Sequence, residues 1–278
     1  MTRDITENLK IAIIGAAGQQ GREYYHLLEK KPVTNLVDSD LENLVLHYSN
    51  KKKLQFFSSV KEAVKNSNFN VAIVCLPHFS HLKITLYLSE HNKFIIKEEP
   101  LALSLSEVEK YKNSISPLIL IIVQRQFNPI FINAKKDLSI LGRIYNYTYE
   151  YNLNPPKITG RWKSIFECTG GGVLIDTGYH ALDIILSFFG KPEKITAELS
   201  FCYNEMQNVQ LEDTANLLLS HKNNQIHVTL NLVRHHSQKN EYFKLLDQPD
   251  FVNNNFNHNA NIVEVVENSY LTSRKRSL

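Results

Sequence analysis

Cysteine is scarce. The 278-residue chain has three, Cys75, Cys168 and Cys202, far apart and without CxxC spacing. That excludes a disulfide framework, gives no metal signal and suits a reducing compartment. No apolar run approaches the roughly 18 residues needed to cross a bilayer. The opening MTRDITENLKIAIIGAAG lacks a cleavage pattern and runs into a glycine loop, so it reads as a first strand and not as a leader. Charge of one sign is also missing: 31 Lys and Arg face 28 Asp and Glu, a net +3. With a pI of about 8.6, that is too mild to point to nucleic acid. The closing SRKRSL reads as a solvated tail. These absences lead to the expectation of a soluble cytoplasmic protein with no membrane and no nucleic-acid partner.

What is present is an ordinary globular composition, 43% apolar and 21% charged, long enough for one large domain or two ordinary ones. Up to about residue 126 short apolar runs alternate with helical patterns. LKIAIIG, TNLVD, LQFFSS, NVAIVCLP, KFIIKEEP and PLILIIVQRQ read as six strands. The segments between them read as helices, one opened by the capping box Ser104–Glu107. Repeated β-α-β units with short loops predict a parallel, doubly wound α/β sheet. Beyond Phe127 the pattern changes. NPIFINAKKDLSILG predicts a helix closed by Gly142. RIYNYTYEYNL alternates as an antiparallel strand does. GGGVLIDTGYHALDIILSFFG predicts one glycine-led helix. EKITAELSFCYN and DTANLLLSHKNNQIHVTLNLVR supply further strands, with a hairpin turn at KNNQ. The organisation expected is a Rossmann domain over 1–126, then an α+β domain with an open, mostly antiparallel sheet over 127–261. A C-terminal helix and tail over 262–278 should return to the first domain.

IIGAAGQQG places Gly15, Gly18 and Gly21 between the first strand and the first helix. The first glycine permits the tight turn, the second lets backbone approach a pyrophosphate, and the third permits close strand–helix contact. The phosphates would sit at a helix N-terminus, where free N–H groups favour anions. Candidate cofactor contacts in the loop are Gly15, Ala16, Ala17, Gly18, Gln19 and Gln20. Asp38 ends the second strand, where a carboxylate holds the adenosine ribose and repels a 2′-phosphate. No arginine follows it, so NAD is expected, with NADP as the alternative. Leu76, Pro77 and His78, with His81 behind them, end the fourth strand, which lines the ligand crevice of such a sheet. His81 reads equally well as a structural histidine.

In the second part Asp176 and His180 are four apart and predicted to share a helix face, with Asp183 near the same stripe. A carboxylate beside an imidazole raises its basicity and orients it for proton transfer. Gly170 to Gly172 permit close approach by a ligand at the start of that helix. No third ligand is evident, so no metal is expected.

KIAIIGAAGQQG, NVAIVCLPHFSH, EEPLALSLSEVE, VQRQFNPIFINAKKDLSILGRI, GRWK, GGGVLIDTGYHALDIILSFFG and LEDTANLLLSHKNNQ together resemble the Gfo/Idh/MocA family, which includes glucose–fructose oxidoreductase and inositol dehydrogenase. The resemblance implies nicotinamide-dependent oxidation or reduction of a sugar, nucleotide sugar, cyclitol or related small molecule. It also implies an oligomer, such as a homodimer, built through the second sheet. Asp176 and His180 fall on the family's catalytic Asp and His. Arg125, Asn128, Arg161, Trp162 and Lys163 fall on stretches that line its substrate pocket. Two departures stand out. Relatives carry Glu-Lys-Pro at the end of the fifth strand, with the lysine central to catalysis; here the triplet is Glu98-Glu99-Pro100. Glu99 then takes the lysine's place, with Glu98 beside the cofactor, and Lys97 is the only amine nearby in sequence. The chain after Arg234 is also short, which puts the sheet edge and the oligomer in question. The departures leave two alternatives to an oxidoreductase of polyhydroxylated substrates: a dinucleotide-binding regulatory or catalytically impaired protein, and an imine-reducing or redox-neutral variant.

Overall fold

Residues before Ile122 build strand after helix in strict alternation, and residues after it do not. The computed structural model describes residues 8–51, 53–114, 118–138, 146–153, 162–221, 226–234 and 259–270. It divides into one unit of Met1–Glu98 with Glu109–Ile122, and a second of Glu99–Val108 with Val123–Leu278.

The first unit runs β1 (Ile11–Ile14), α1 (Gln19–Leu27), β2 (Val33–Val37), α2 (Leu41–Tyr48), β3 (Gln55–Phe57), α3 (Val60–Asn66), β4 (Val71–Val74), α4 (His78–Glu90) and β5 (Phe94–Glu98). It ends with α5 (Leu105–Ser114), which begins in the second unit, and β6 (Ile119–Ile122). The strands form one sheet in the order β3-β2-β1-β4-β5-β6, and every pairing is parallel. β1 and β4 are buried at every position, as strands covered on both faces must be. Ile11, Ile13, Leu36, Leu44, Val71 and Ile73 lie in one core cluster. Burying each such side chain contributes roughly 1.5–3 kcal/mol. Helix starts follow local chemistry: the Asp40 carboxylate accepts from Asn43 N, and Ser59 accepts from Glu62 N at 3.2 Å while Glu62 reaches back to Ser58 N at 3.0 Å.

The second unit holds α6 (Pro129–Asp137), β7 (Asn146–Asn152), α7 (Phe166–Thr169), α8 (Val173–Asp176), α9 (Gly178–Phe189), β8 (Lys194–Ser200), α10 (Asn204–Val209), β9 (Thr214–His221) and β10 (Ile226–Val233). A last helix, α11, covers 259–270. Its sheet has the order β7-β10-β9-β8. Tyr147, Tyr149, Leu230, Leu217 and Ala197 share the face turned to the core, packed under α9 through Tyr147 against Phe188 and Phe189. The opposite face carries Thr148, Glu150, Asn231, Asn216 and Glu198 around Leu218.

Three expectations are corrected. β7 pairs with β10 in parallel, Tyr149 opposite Leu230, although β8, β9 and β10 are antiparallel as predicted. Alternation sets which face a residue takes but not the strand's direction. The single glycine-led helix expected over 170–190 is broken at Thr177, and the flanking segments Phe166–Asp176 and Gly178–Phe189 meet at 51°. Gly178 follows the break, where a Cβ would lie 2.7 Å from Leu232 Cδ1 and 2.9 Å from Leu174 Cδ1. Glycine weakens the helix and permits the tight packing that bends it. Finally, α11 groups with the second unit, not the first: Asn259 Oδ1 accepts from Tyr179 Oη at 2.8 Å and Glu267 accepts from Leu105 N at 2.7 Å. Gly142 and the KNNQ turn lie outside the described residues. Among the described residues no single helix is long and apolar enough to cross a membrane.

Candidate active site

In the first unit the glycine loop leads from β1 into α1. Gly15 has φ +87°, and a Cβ there would lie 2.3 Å from the Cys75 carbonyl oxygen. A Cβ on Gly21 would lie 2.2 Å from Gly15 O and 2.7 Å from Ala16 Cα. Both glycines are therefore demanded by the fold. Gly21→Ala is expected to cost stability by about 1–3 kcal/mol through overpacking, read as an earlier urea midpoint at unchanged slope. Gly18 differs. A Cβ there would meet only Gly15 O, at 3.3 Å, with no other atom within 4 Å. The loop needs a bare backbone at Gly18 only if something else approaches it. Gly18 provides no side-chain cap to α1, and the first turn holds no acid. The N–H groups at this helix start are thus suited to a pyrophosphate, and the loop fits a dinucleotide. Ala16 and Ala17 are buried beneath it, while Gln19, bonded to Glu23, and Gln20 open the helix.

Asp38 lies at the end of β2, with Oδ2 accepting from Ala17 N at 3.0 Å and Oδ1 from Asp40 N at 3.0 Å. Each oxygen keeps acceptor capacity for a ribose hydroxyl. Because the carboxylate also pins the loop, Asp38→Ala is expected to weaken both nicotinamide dinucleotides, NADH more than NADPH, since the 2′-phosphate is no longer repelled. Equal losses by calorimetry would remove Asp38 from the ribose role.

Leu76 and Pro77 lead from β4 into α4, whose first residue is His78. His81 is buried, and its Nε2 pairs with Leu76 O at 2.8 Å, so it braces this loop. At the end of β5, Glu98 is held by the hydroxyl of Tyr24 from α1. Its charge adds to burial in pushing the Cys75 thiol well up. Lys97 alternates to the other face and has no exposed surface. An amine so placed reaches no substrate without rearrangement of the strand.

In the second unit His180, in the first turn of α9, meets Glu99. Nε2 and Oε1 are 3.4 Å apart, and the two side chains are only 18% and 17% exposed. Nδ1 of the same ring is buried, with no hydrogen-bond partner among the described residues. Burial works against a charge on His180, but the hydrogen bond and charge of Glu99 outweigh it, helped by Asp183 and opposed by Arg125, and the pKa is raised above 6.5. The ion-pair partner His180 takes is Glu99, not the Asp176 expected from spacing. Asp176 precedes the break at Thr177 and His180 follows it. Asp176 instead meets Arg234 Nη1 at 3.2 Å and Lys163 Nζ at 3.9 Å.

The start of α8 is fixed by Glu212. Its carboxylate is buried and accepts from Gly172 N at 2.9 Å, Leu174 N at 3.0 Å and Tyr270 Oη at 2.7 Å. Burial raises its pKa, more than these donors lower it. A Cβ on Gly172 would lie 2.1 Å from Glu212 O, so these glycines serve close packing of the chain on itself. Asn128 is buried and accepts from Ile130 N at 2.9 Å, which makes it the cap of α6. Arg125 bonds Tyr149, and Lys163 lies 5.6 Å from the Trp162 ring centre. Arg161 lies outside the described residues. Among the described residues no group of three His, Cys, Asp or Glu is arranged to hold a metal. Three functional pairings escaped the sequence reading: Glu99 with His180, Arg234 with Asp176, and Tyr270 with Glu212. Only the first carried a signal, the acid standing where relatives have a lysine.

Residues 9–116 match the family model described as an oxidoreductase family with NAD-binding Rossmann fold, and residues 138–246 match the GFO/IDH/MocA C-terminal domain. The chain belongs to the GFO/IDH/MocA family. It is similar to scyllo-inositol 2-dehydrogenase (NADP(+)) IolW of Bacillus subtilis, 23% identical over 224 residues, 77% of this chain and 60% of that protein. The chain thus spans about three-fifths of this curated relative's length. In fold it resembles the WlbA dehydrogenase of Bordetella pertussis, solved with NADH and UDP-GlcNAcA, with a TM-score of 0.82 at 14% identity over 97% of this chain and 98% of that one. It also resembles a myo-inositol dehydrogenase of Corynebacterium glutamicum, with a TM-score of 0.78 at 15% identity over 97% of each chain.

Proposed function

We propose that the chain is an NAD(P)-dependent oxidoreductase of a sugar, nucleotide sugar, cyclitol or similar polyhydroxylated molecule, with Glu99 and His180 as its proton-transfer pair. The observation that carries this reading is the His180 ring, held at Nε2 by Glu99 and with no partner for Nδ1 among the described residues. Nicotinamide, when bound, supplies or accepts the hydride. Once a local rearrangement exposes Nδ1, His180 gives a proton from it to the developing alkoxide in the reductive direction and takes it back in the oxidative one. Glu99 is the positioning residue: it orients the ring and stabilises the imidazolium. A lysine at this position would act on the substrate directly, whereas the glutamate acts through His180. Asp176, between Lys163 and Arg234, belongs to the substrate side.

The relatives' names support a polyhydroxylated substrate: one is an NADP(+)-dependent inositol dehydrogenase, and another was solved with a nucleotide sugar. The test is NADH or NADPH consumption and formation across ketoses, sugars, nucleotide sugars and inositols. Glu99 in the lysine's place favours a second reading, a dinucleotide-binding member without turnover. Tight NADH binding with no turnover on any of these compounds would establish that reading. An assembly through the second sheet would bury a polar face with Leu218 as its large apolar side chain. If the native chain sediments as a dimer built this way, Leu218→Arg should dissociate it. A monomeric native chain would reject the interface. The three cysteines are free, as suits a reducing cytoplasm.

A further inference from the structure

Arg125 lies on the 3₁₀ turn Gln124–Phe127, which packs against α9, the helix carrying His180. Its Nη1 donates to Tyr149 Oη at 3.3 Å, and its guanidinium carbon lies 4.0 Å from the centre of the Tyr151 ring. Both partners are neutral. Arg234 and Lys163 share the Asp176 carboxylate, but no carboxylate among the described residues pairs with Arg125. The side chain is half-buried. A partly desolvated guanidinium without an anion is a costly arrangement, and most of its five donors remain unused. The two tyrosines hold the fork rigidly, one by stacking and one by accepting a hydrogen bond. The charge is near enough to His180 to oppose its protonation, against Glu99 and Asp183, which favour it.

We infer that the substrate carries an anionic group, a carboxylate or a phosphate, which the Arg125 fork binds so that the reacting carbon is presented to His180. The inference rests on the oxidoreductase reading of this site and names its substrate class. An anion on Arg125 neutralises a cation that opposes His180 and leaves a more readily protonated acid beside the substrate. Planar carboxylates and tetrahedral phosphates both match the guanidinium bidentately, so the probe set must separate them.

The experiment is calorimetry on the full chain saturated with NADH, using matched neutral and anionic ligands: glucose against glucuronate, glucose against glucose 6-phosphate, and myo-inositol against inositol 1-phosphate. In at least one pair the anionic member should bind about tenfold or more tightly than the neutral one. A carboxylate-only or phosphate-only preference names the group. Arg125→Gln should abolish that preference. If Arg125→Gln loses the neutral ligand as well, Arg125→Lys decides, because it keeps the charge: a retained preference supports the inference and a lost one overturns it. The inference also fails if no anionic member binds, if neutral members bind as well, or if the preference survives Arg125→Gln. NADH binding is measured beforehand in a separate titration of the unliganded chain. Its absence would count against the oxidoreductase reading and not against the anion site.

Discussion

A Gly18→Val variant is expected to lose NADH affinity by roughly 10²–10⁴-fold while melting within about 2–4 °C of the native protein. Every other glycine of the loop confounds such a test. A side chain at Gly15 or Gly21 would collide with backbone at 2.3 Å or 2.2 Å, so those variants lose structure along with binding. At Gly18 the nearest atom to an added Cβ is 3.3 Å away, and φ is an ordinary −68°. The Gly15 carbonyl has to give by only a few tenths of an ångström, far less than at Gly15 or Gly21, and the space the side chain fills is where a pyrophosphate must meet the backbone N–H groups. Losing about two charge-assisted hydrogen bonds, at roughly 1.5–3 kcal/mol each, gives the range stated. Calorimetry with NADH and a thermal melt suffice. Unchanged affinity would remove the loop from cofactor binding. Lost affinity with a melt lowered by ten degrees or more would show that Gly18 is structural after all.

The first unit was legible in the sequence because its rules are local. A doubly buried strand such as Ile11–Ile14 is apolar at every position, and a glycine triplet before a helix has few other uses. The order β3-β2-β1-β4-β5-β6 then follows from the way parallel units stack. The second unit was legible only in its faces. Tyr147, Tyr149 and Tyr151 alternate correctly, but whether β7 runs with or against β10 is decided by the connections between them, which alternation does not encode. The bend at Thr177 had the same character. Asp176 and His180 stand four apart in the sequence, but that spacing presumes a straight helix and does not encode the break at Thr177. The partners they take, Arg234 and Glu99, lie far away in the chain and are brought in by tertiary packing alone. Glu99 stands out in the sequence as an anomaly, and in the structure its occupation is the contact with His180.

That occupation sets the second large effect. His180→Ala is expected to lower turnover by about 10²–10⁴-fold, the usual worth of a general acid or base. Glu99→Gln should act in a way that deletion of a packing group would not. Glu99 provides the largest favourable contribution to the His180 imidazolium, against burial and Arg125, and Asp183 adds a lesser one. Without the carboxylate the histidine pKa falls, so the high-pH limb of the reductive rate profile should move to lower pH. Stability should respond with a definite sign. A histidine whose folded pKa is raised stabilises the protein fully below its unfolded value of about 6.5 and loses that contribution as pH rises through the folded value. The native protein should therefore lose this increment on passing from mildly acidic to mildly alkaline pH, and Glu99→Gln should not. Since Glu99 works only through the ring, Glu99→Gln combined with His180→Ala should cost little more than His180→Ala alone. Additive losses would make Glu99 an independent group facing the substrate, as the family lysine does. A His180→Ala enzyme with near-native turnover would place the chemistry elsewhere, and a rate profile indifferent to Glu99→Gln would show that the pair at 3.4 Å is a structural contact and not a proton relay.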